Sequence, residues 1–167
     1  MMYAQNVWTN IEEVASKVNS SSLFRNRISG SKNAVREYWG LDTTQKPISE
    51  DFWGTYVLMS SAAVVKECLK NEDRVYLAQI NTPEEVVIAG DTQSCLKVIK
   101  KLGCSYFPAP SSNVIHCEAI QSEYDEFARW FTIPCQPVPQ VSLYSAADYT
   151  RTTLTSQTIA HGIAKAL

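Results

Sequence analysis

The stretch from Arg74 to Gly103 constrains the chain more than any other. Arg74–Ile80 is β-rich, Asn81-Thr82-Pro83 is a turn signal, and Glu85–Ala89 carries the β-branched run Val86-Val87-Ile88 before Gly90. β-Branched residues suit a pleated surface while Asn and Pro suit turns, so two strands joined by a short connection are expected. Asp91 then stands at the N-cap of a helix whose core face reads Cys95, Leu96, Ile99 and Leu102, closed by Gly103 at C′.

The flanks extend this pattern. Phe52–Met59 is a β-rich run, and Ala62–Asn71 places Ala62, Val65 and Leu69 on one helical face with Val64 and Cys68 beside it. A last strand is expected within Ser105–His116, interrupted by Pro108 and Pro110. The predicted order is βαββαβ, the split-βαβ or ferredoxin-like arrangement, and the fold class is α+β.

Before it, Val7, Trp8, Ile11, Val14, Ala15 and Val18 form a helical stripe, and Ala34, Val35, Tyr38 and Trp39 form a patchier one that Gly40 stops. Residues 1–50 therefore read as a helical appendage and 51–117 as the ferredoxin-like subdomain. Residues 118–167 read as a helix over Ser122–Phe131, a proline-punctuated segment Ile133–Pro139, a short strand Val141–Tyr144 and a helix from about Ser156. That last helix carries the stripe Ile159, Ile163, Ala164 and Leu167 to the end of the sequence without a stop signal. Its packing partner is expected outside these residues, the alternative being a helix docked on the local core.

With 167 residues and 45% hydrophobic content, the chain can bury one ordinary core. A formal net charge of −2 gives no broad basic face, which argues against nucleic acid as a partner. No apolar run approaches a membrane span and no signal pattern opens the chain, so a cytoplasmic location is expected. The cysteines, Cys68, Cys95, Cys104, Cys117 and Cys135, form no C-x-x-C pair or His-bearing metal spacing, so no zinc site is expected; no bound cofactor is expected either. Cys68 and Cys95 fall on apolar helical faces, where reduced thiols act as small hydrophobes.

The segment RVYLAQINTPEEVVIAGD (74–91) resembles the strand, VN-x-P-like turn and VVIAGD-type strand of fatty-acid and polyketide acyltransferases. Asn113-Val114-Ile115-His116-Cys117 stands in the place of that family's AFHS-type motif, and VPQVSLYS (138–145) resembles the following YSN strand. The wording TPEEVVIAGD, VIHCEA and LYSAADY is most similar to acyltransferases of polyunsaturated-fatty-acid synthases and heterocyst-glycolipid synthases. The resemblance implies an α/β-hydrolase-like enzyme with an inserted ferredoxin-like small subdomain, moving a malonyl or acyl group from CoA to an acyl carrier protein. The substrate is then an acyl-CoA, and the phosphopantetheine is carried by the partner protein.

The resemblance makes His116 the catalytic base and places Asn81 near the cleft as a substrate-binding residue, although Asn81 also reads as an ordinary turn residue. No G-H-S-x-G nucleophile elbow, GQG segment or following arginine occurs. The chain therefore reads as a fragment, inactive alone, whose partners are the missing large subdomain and neighbouring synthase domains. Ala146 replaces the asparagine that commonly follows YS, and N-V-I-H matches neither the malonyl-type nor the methylmalonyl-type signature, so the acyl group is unread. Lys97, Lys100 and Lys101 share one helical side that suits an acidic carrier protein or simply solvent. Cys117 is set aside as a nucleophile because strand neighbours point to opposite faces. The competing reading is a free-standing ferredoxin-like binding or regulatory module without chemistry.

Overall fold

The computed structural model describes residues 11–44, 52–110, 113–132, 134–135, 140–145 and 149–166. They divide into two compact units, Asn26–Ile120 and a second drawn from both ends of the chain, up to Arg25 and from Gln121 onward.

In the first unit the elements are α2 (Asn33–Tyr38), β1 (Trp53–Leu58), α3 (Ala62–Leu69), β2 (Val75–Thr82), β3 (Glu85–Asp91), α4 (Thr92–Leu102) and β4 (Tyr106–Pro108); α1 (Ile11–Ser20) precedes them in the chain. The strands form one antiparallel sheet in the order β2-β3-β1-β4. Its register, with Leu58 opposite Val86 and Tyr56 opposite Ile88, aligns the apolar residues of one face. Leu58, Val65, Cys68, Val75, Val86, Ile88, Cys95, Val98 and Ile99 close into a core between that face and the helices α3 and α4.

The caps of α4 follow the local sequence. Asp91 accepts from the Ser94 N–H at 2.8 Å, and Gly103 ends the helix with φ 62. Its core face holds the expected residues and one more: Cys95, Val98 and Ile99 are buried, and Leu96 and Leu102 pack against the core partly covered. Val98 lies three residues from Cys95 and thus shares its side of the helix, which the expected set overlooked.

The β2–β3 connection is tighter than the turn signal implied. Thr82 pairs with Glu85, leaving Pro83-Glu84 as a two-residue loop, so Asn81 and Thr82 are strand residues beside a register shift. β4 ends at Pro108, and no strand reaches His116. Proline removes a ladder donor, so a strand broken by Pro108 and Pro110 stays short and at the edge.

β3 is buried from Val86 to Gly90, on both faces of the sheet. On the face away from α3 and α4, Trp53 and Tyr76 are buried, and Trp39, just after α2, packs against Trp53 with ring centroids 5.9 Å apart. Residues 26–44 thus pack with the sheet. They are braced internally by an Arg27–Glu37 ion pair at 2.6 Å and by the buried Arg36, which donates to the Asp42 carbonyl.

In the second unit, α5 (Tyr124–Trp130) packs on α6 (Ser156–Ala166), and β5 (Leu143–Tyr144) pairs with β6 (Arg151–Thr152). Phe24 meets Phe127 and Trp130 edge-on at 6.0 and 5.4 Å. On α6, Ala160 and Ala164 are buried and Ile159 and Ile163 half-buried, so part of the stripe has its partner within the chain. Val7, Trp8 and Leu167 lie outside the described residues, as does most of Ile133–Pro139. No described helix is long and apolar enough to cross a membrane.

Candidate active site

The backbone around His116 is irregular and held from both sides. Val114 is fully buried and donates its N–H to the Ile28 carbonyl at 2.8 Å, and the Ser29 hydroxyl donates to Asn113 Oδ1 at 2.9 Å. His116 itself is half-buried with φ 57, the left-handed region that non-glycine residues rarely occupy. Beyond it the Cys117 carbonyl accepts from the Ile120 N–H at 3.3 Å as the chain enters a 3-10 turn over Glu118–Glu123.

Burial pushes the Cys117 thiol up to about 11, the Ala119 and Ile120 N–H groups offsetting this only in part. Because 116–117 is a bend and not a strand, alternation of faces does not apply to it; protonation is what makes Cys117 a poor nucleophile. Burial likewise pushes Tyr76 up to about 12, against the favourable Trp39 donor, with Cys117, Tyr38 and Glu118 near enough to oppose its ionisation. Tyr38 is also raised, by desolvation and then by Glu118.

Asn81 is exposed and donates through Nδ2 to Glu85 Oε1 at 2.8 Å. It stands at the hairpin end of β2, about 16 Å of strand from Tyr76. The structure therefore holds the His116 turn against Ile28 and Ser29 and sets Asn81 at the hairpin end of β2. Lys97, Lys100 and Lys101 are exposed on α4. Ser111, Ser112 and Ala146 lie outside the described residues, and among the described residues no cluster of His, Cys, Asp and Glu could hold a metal ion. Sequence reasoning missed the pairing of Ser29 with Asn113, which joins residues 84 positions apart and leaves no local signal.

No protein-family model matches the chain. No curated protein matches it either. Among solved structures it is similar to the malonyl CoA-acyl carrier protein transacylase (fabD) of Coxiella burnetii, with 18% identity and TM-score 0.59 over 70% of this chain and 39% of that one. A type II polyketide synthase malonyl-transacylase, solved with its acyl-carrier protein, gives 19% identity and TM-score 0.59 over 81% and 43%. The acyltransferase domain of module 8 of the salinomycin polyketide synthase gives 16% and 0.56 over 93% and 36%. The fold is that of part of an acyltransferase domain. The chain spans 36–43% of the length of these three structures.

Proposed function

We propose that this chain is the portion of a malonyl- or acyl-CoA:acyl carrier protein acyltransferase that holds the ferredoxin-like small subdomain and the histidine base. The order βαββαβ with strands arranged β2-β3-β1-β4 supports the ferredoxin-like reading. The observation that carries the function is a coincidence: the N-V-I-H-C motif resembles the histidine motif of a family whose solved members share this fold. The wording of the motifs favours the polyunsaturated-fatty-acid and heterocyst-glycolipid synthase type, acting in the cytoplasm.

In this proposal a serine from residues beyond these 167 attacks the acyl-CoA thioester. A serine hydroxyl is protonated at neutral pH, so His116 takes its proton as the bond forms. The tetrahedral adduct collapses, the C–S bond breaks, and the protonated imidazole returns the proton to the CoA thiolate. The carrier protein's phosphopantetheine thiol then attacks the acyl-serine by the same proton transfers in the same order.

The test is His116→Ala in the full-length protein, assayed for malonyl transfer from CoA to carrier protein. Loss of a general base costs about 10²–10⁴-fold in rate, and the melting temperature should barely move. Normal transfer by a folded variant overturns the proposal and leaves a binding module. The 167-residue chain alone should take up no acyl group from malonyl-CoA by intact mass, and a stoichiometric adduct on Ser111, Ser112 or Cys117 would contradict its reading as an enzyme part.

A further inference from the structure

We infer that a buried water-binding site lies on the sheet face away from α3 and α4, held by the indole N–H of Trp53 and the hydroxyl of Thr55. The inference stands apart from the proposed acyl transfer.

Trp53 Nε1 and Thr55 Oγ1 are buried, and neither has a hydrogen-bond partner among the described residues. Trp53 as a whole is 4% exposed. Buried polar groups are almost always paired, because an unpaired one gives up its hydration and gains nothing in return. Two such groups on one strand mark a place where something other than a protein group completes them.

The register brings the two together. Trp53 and Thr55 are alternate residues of β1, so they share a face. Thr55 stands opposite Ala89 of β3, and Ala89 stands opposite Tyr76 of β2. The Trp53 ring stacks on Tyr76 with centroids 6.1 Å apart and planes 25° apart, which draws the indole across β3 toward β2. Both polar groups thus border Ala89, a buried residue whose single methyl leaves room that a larger side chain would fill. Trp39 covers the indole from the chain after α2, its ring centroid 5.9 Å away.

Chemistry decides the occupant. An indole N–H only donates, whereas a hydroxyl both donates and accepts. Water accepts from the first and takes either role with the second. An ion would be buried without a counter-charge from these neutral groups, and a larger molecule cannot reach two atoms that are closed to solvent. The water links Thr55 on the central strand to Trp53 and, through the packed indoles, to Trp39.

A high-resolution crystal structure of the protein should show one ordered water within about 3.2 Å of both Trp53 Nε1 and Thr55 Oγ1. Thr55→Val replaces the hydroxyl by a methyl of nearly the same shape and does not put folding at stake. With water in the site, the variant loses it and strands the Trp53 N–H, so the melting temperature falls by about 2–4 °C. With no water there, the same change removes an unpaired hydroxyl and the melting temperature rises. Thr55→Ser keeps the hydroxyl and should keep the water, and its loss in that variant counts against the site. A melting temperature that holds or rises in Thr55→Val overturns the inference. So does a crystal structure in which protein groups pair both atoms, or in which no water lies between them.

Discussion

The indole N–H of Trp39 donates to the hydroxyl of Tyr76 at 2.8 Å, joining the chain just after α2 to the edge strand β2. Trp39 also packs on Phe52 and Trp53, and the Arg74 guanidinium lies 5.1 Å from its ring. One side chain thus fastens the chain after α2 to the face of the sheet opposite α3 and α4.

Trp39→Phe keeps most of the apolar area and removes the donor. The Tyr76 hydroxyl, buried and deprived of that partner, should cost about 1–3 kcal/mol. Urea unfolding followed by circular dichroism measures this, with a lower midpoint and an unchanged slope as the expected result. Trp39→Phe combined with Tyr76→Phe should recover part of the loss, because the orphaned hydroxyl is gone.

Alkaline pH should destabilise the fold from about pH 9 upward. Burial pushes Cys95 up to about 12, Cys117 to about 11 and Tyr76 to about 12, each above its ordinary value. The folded state keeps these protons while the unfolded chain loses them from about pH 9 for the thiols and 10 for the phenol. Stability is therefore intact below pH 9 and falls as pH rises, by about 1.4 kcal/mol per unit for each group over its own window. Melting temperatures from pH 8 to 11 should show this decline, and Cys95→Ala with Cys117→Ala should flatten it. A flat profile in the unsubstituted protein would contradict the buried placement of the thiols.

Gly90 explains the glycine of the VVIAGD run. It has φ 154, and a Cβ there would lie 2.1 Å from the Arg74 carbonyl oxygen and 2.9 Å from Val75 Cα. Both obstacles are backbone of the neighbouring strand, which cannot step aside without breaking the β2–β3 ladder. Gly90→Ala should cost about 3 kcal/mol or more, at the upper end for overpacked sites, and Gly103→Ala, with nothing within 4 Å, should cost only its left-handed strain, about 1–2 kcal/mol. Paired thermal melts separate the two.

Much of the sheet and both its helices were legible in the residues themselves. Val86-Val87-Ile88 marks a strand, Asp91 and Gly103 bound α4, and Ser156 opens α6, because caps and periodicities act over a few neighbouring residues. Position along the chain determined that much alone. The tertiary structure decided the rest: that Trp39 packs on the face of the sheet away from α3 and α4, that Val98 joins Cys95 and Ile99 in the buried face of α4, that His116 sits in a left-handed bend beyond β4, and that Asn81 stands at the hairpin end of β2. Ser29 and Asn113 meet across 84 positions, and a pairing fixed by loop closure and a shared core leaves no mark in the sequence near either residue.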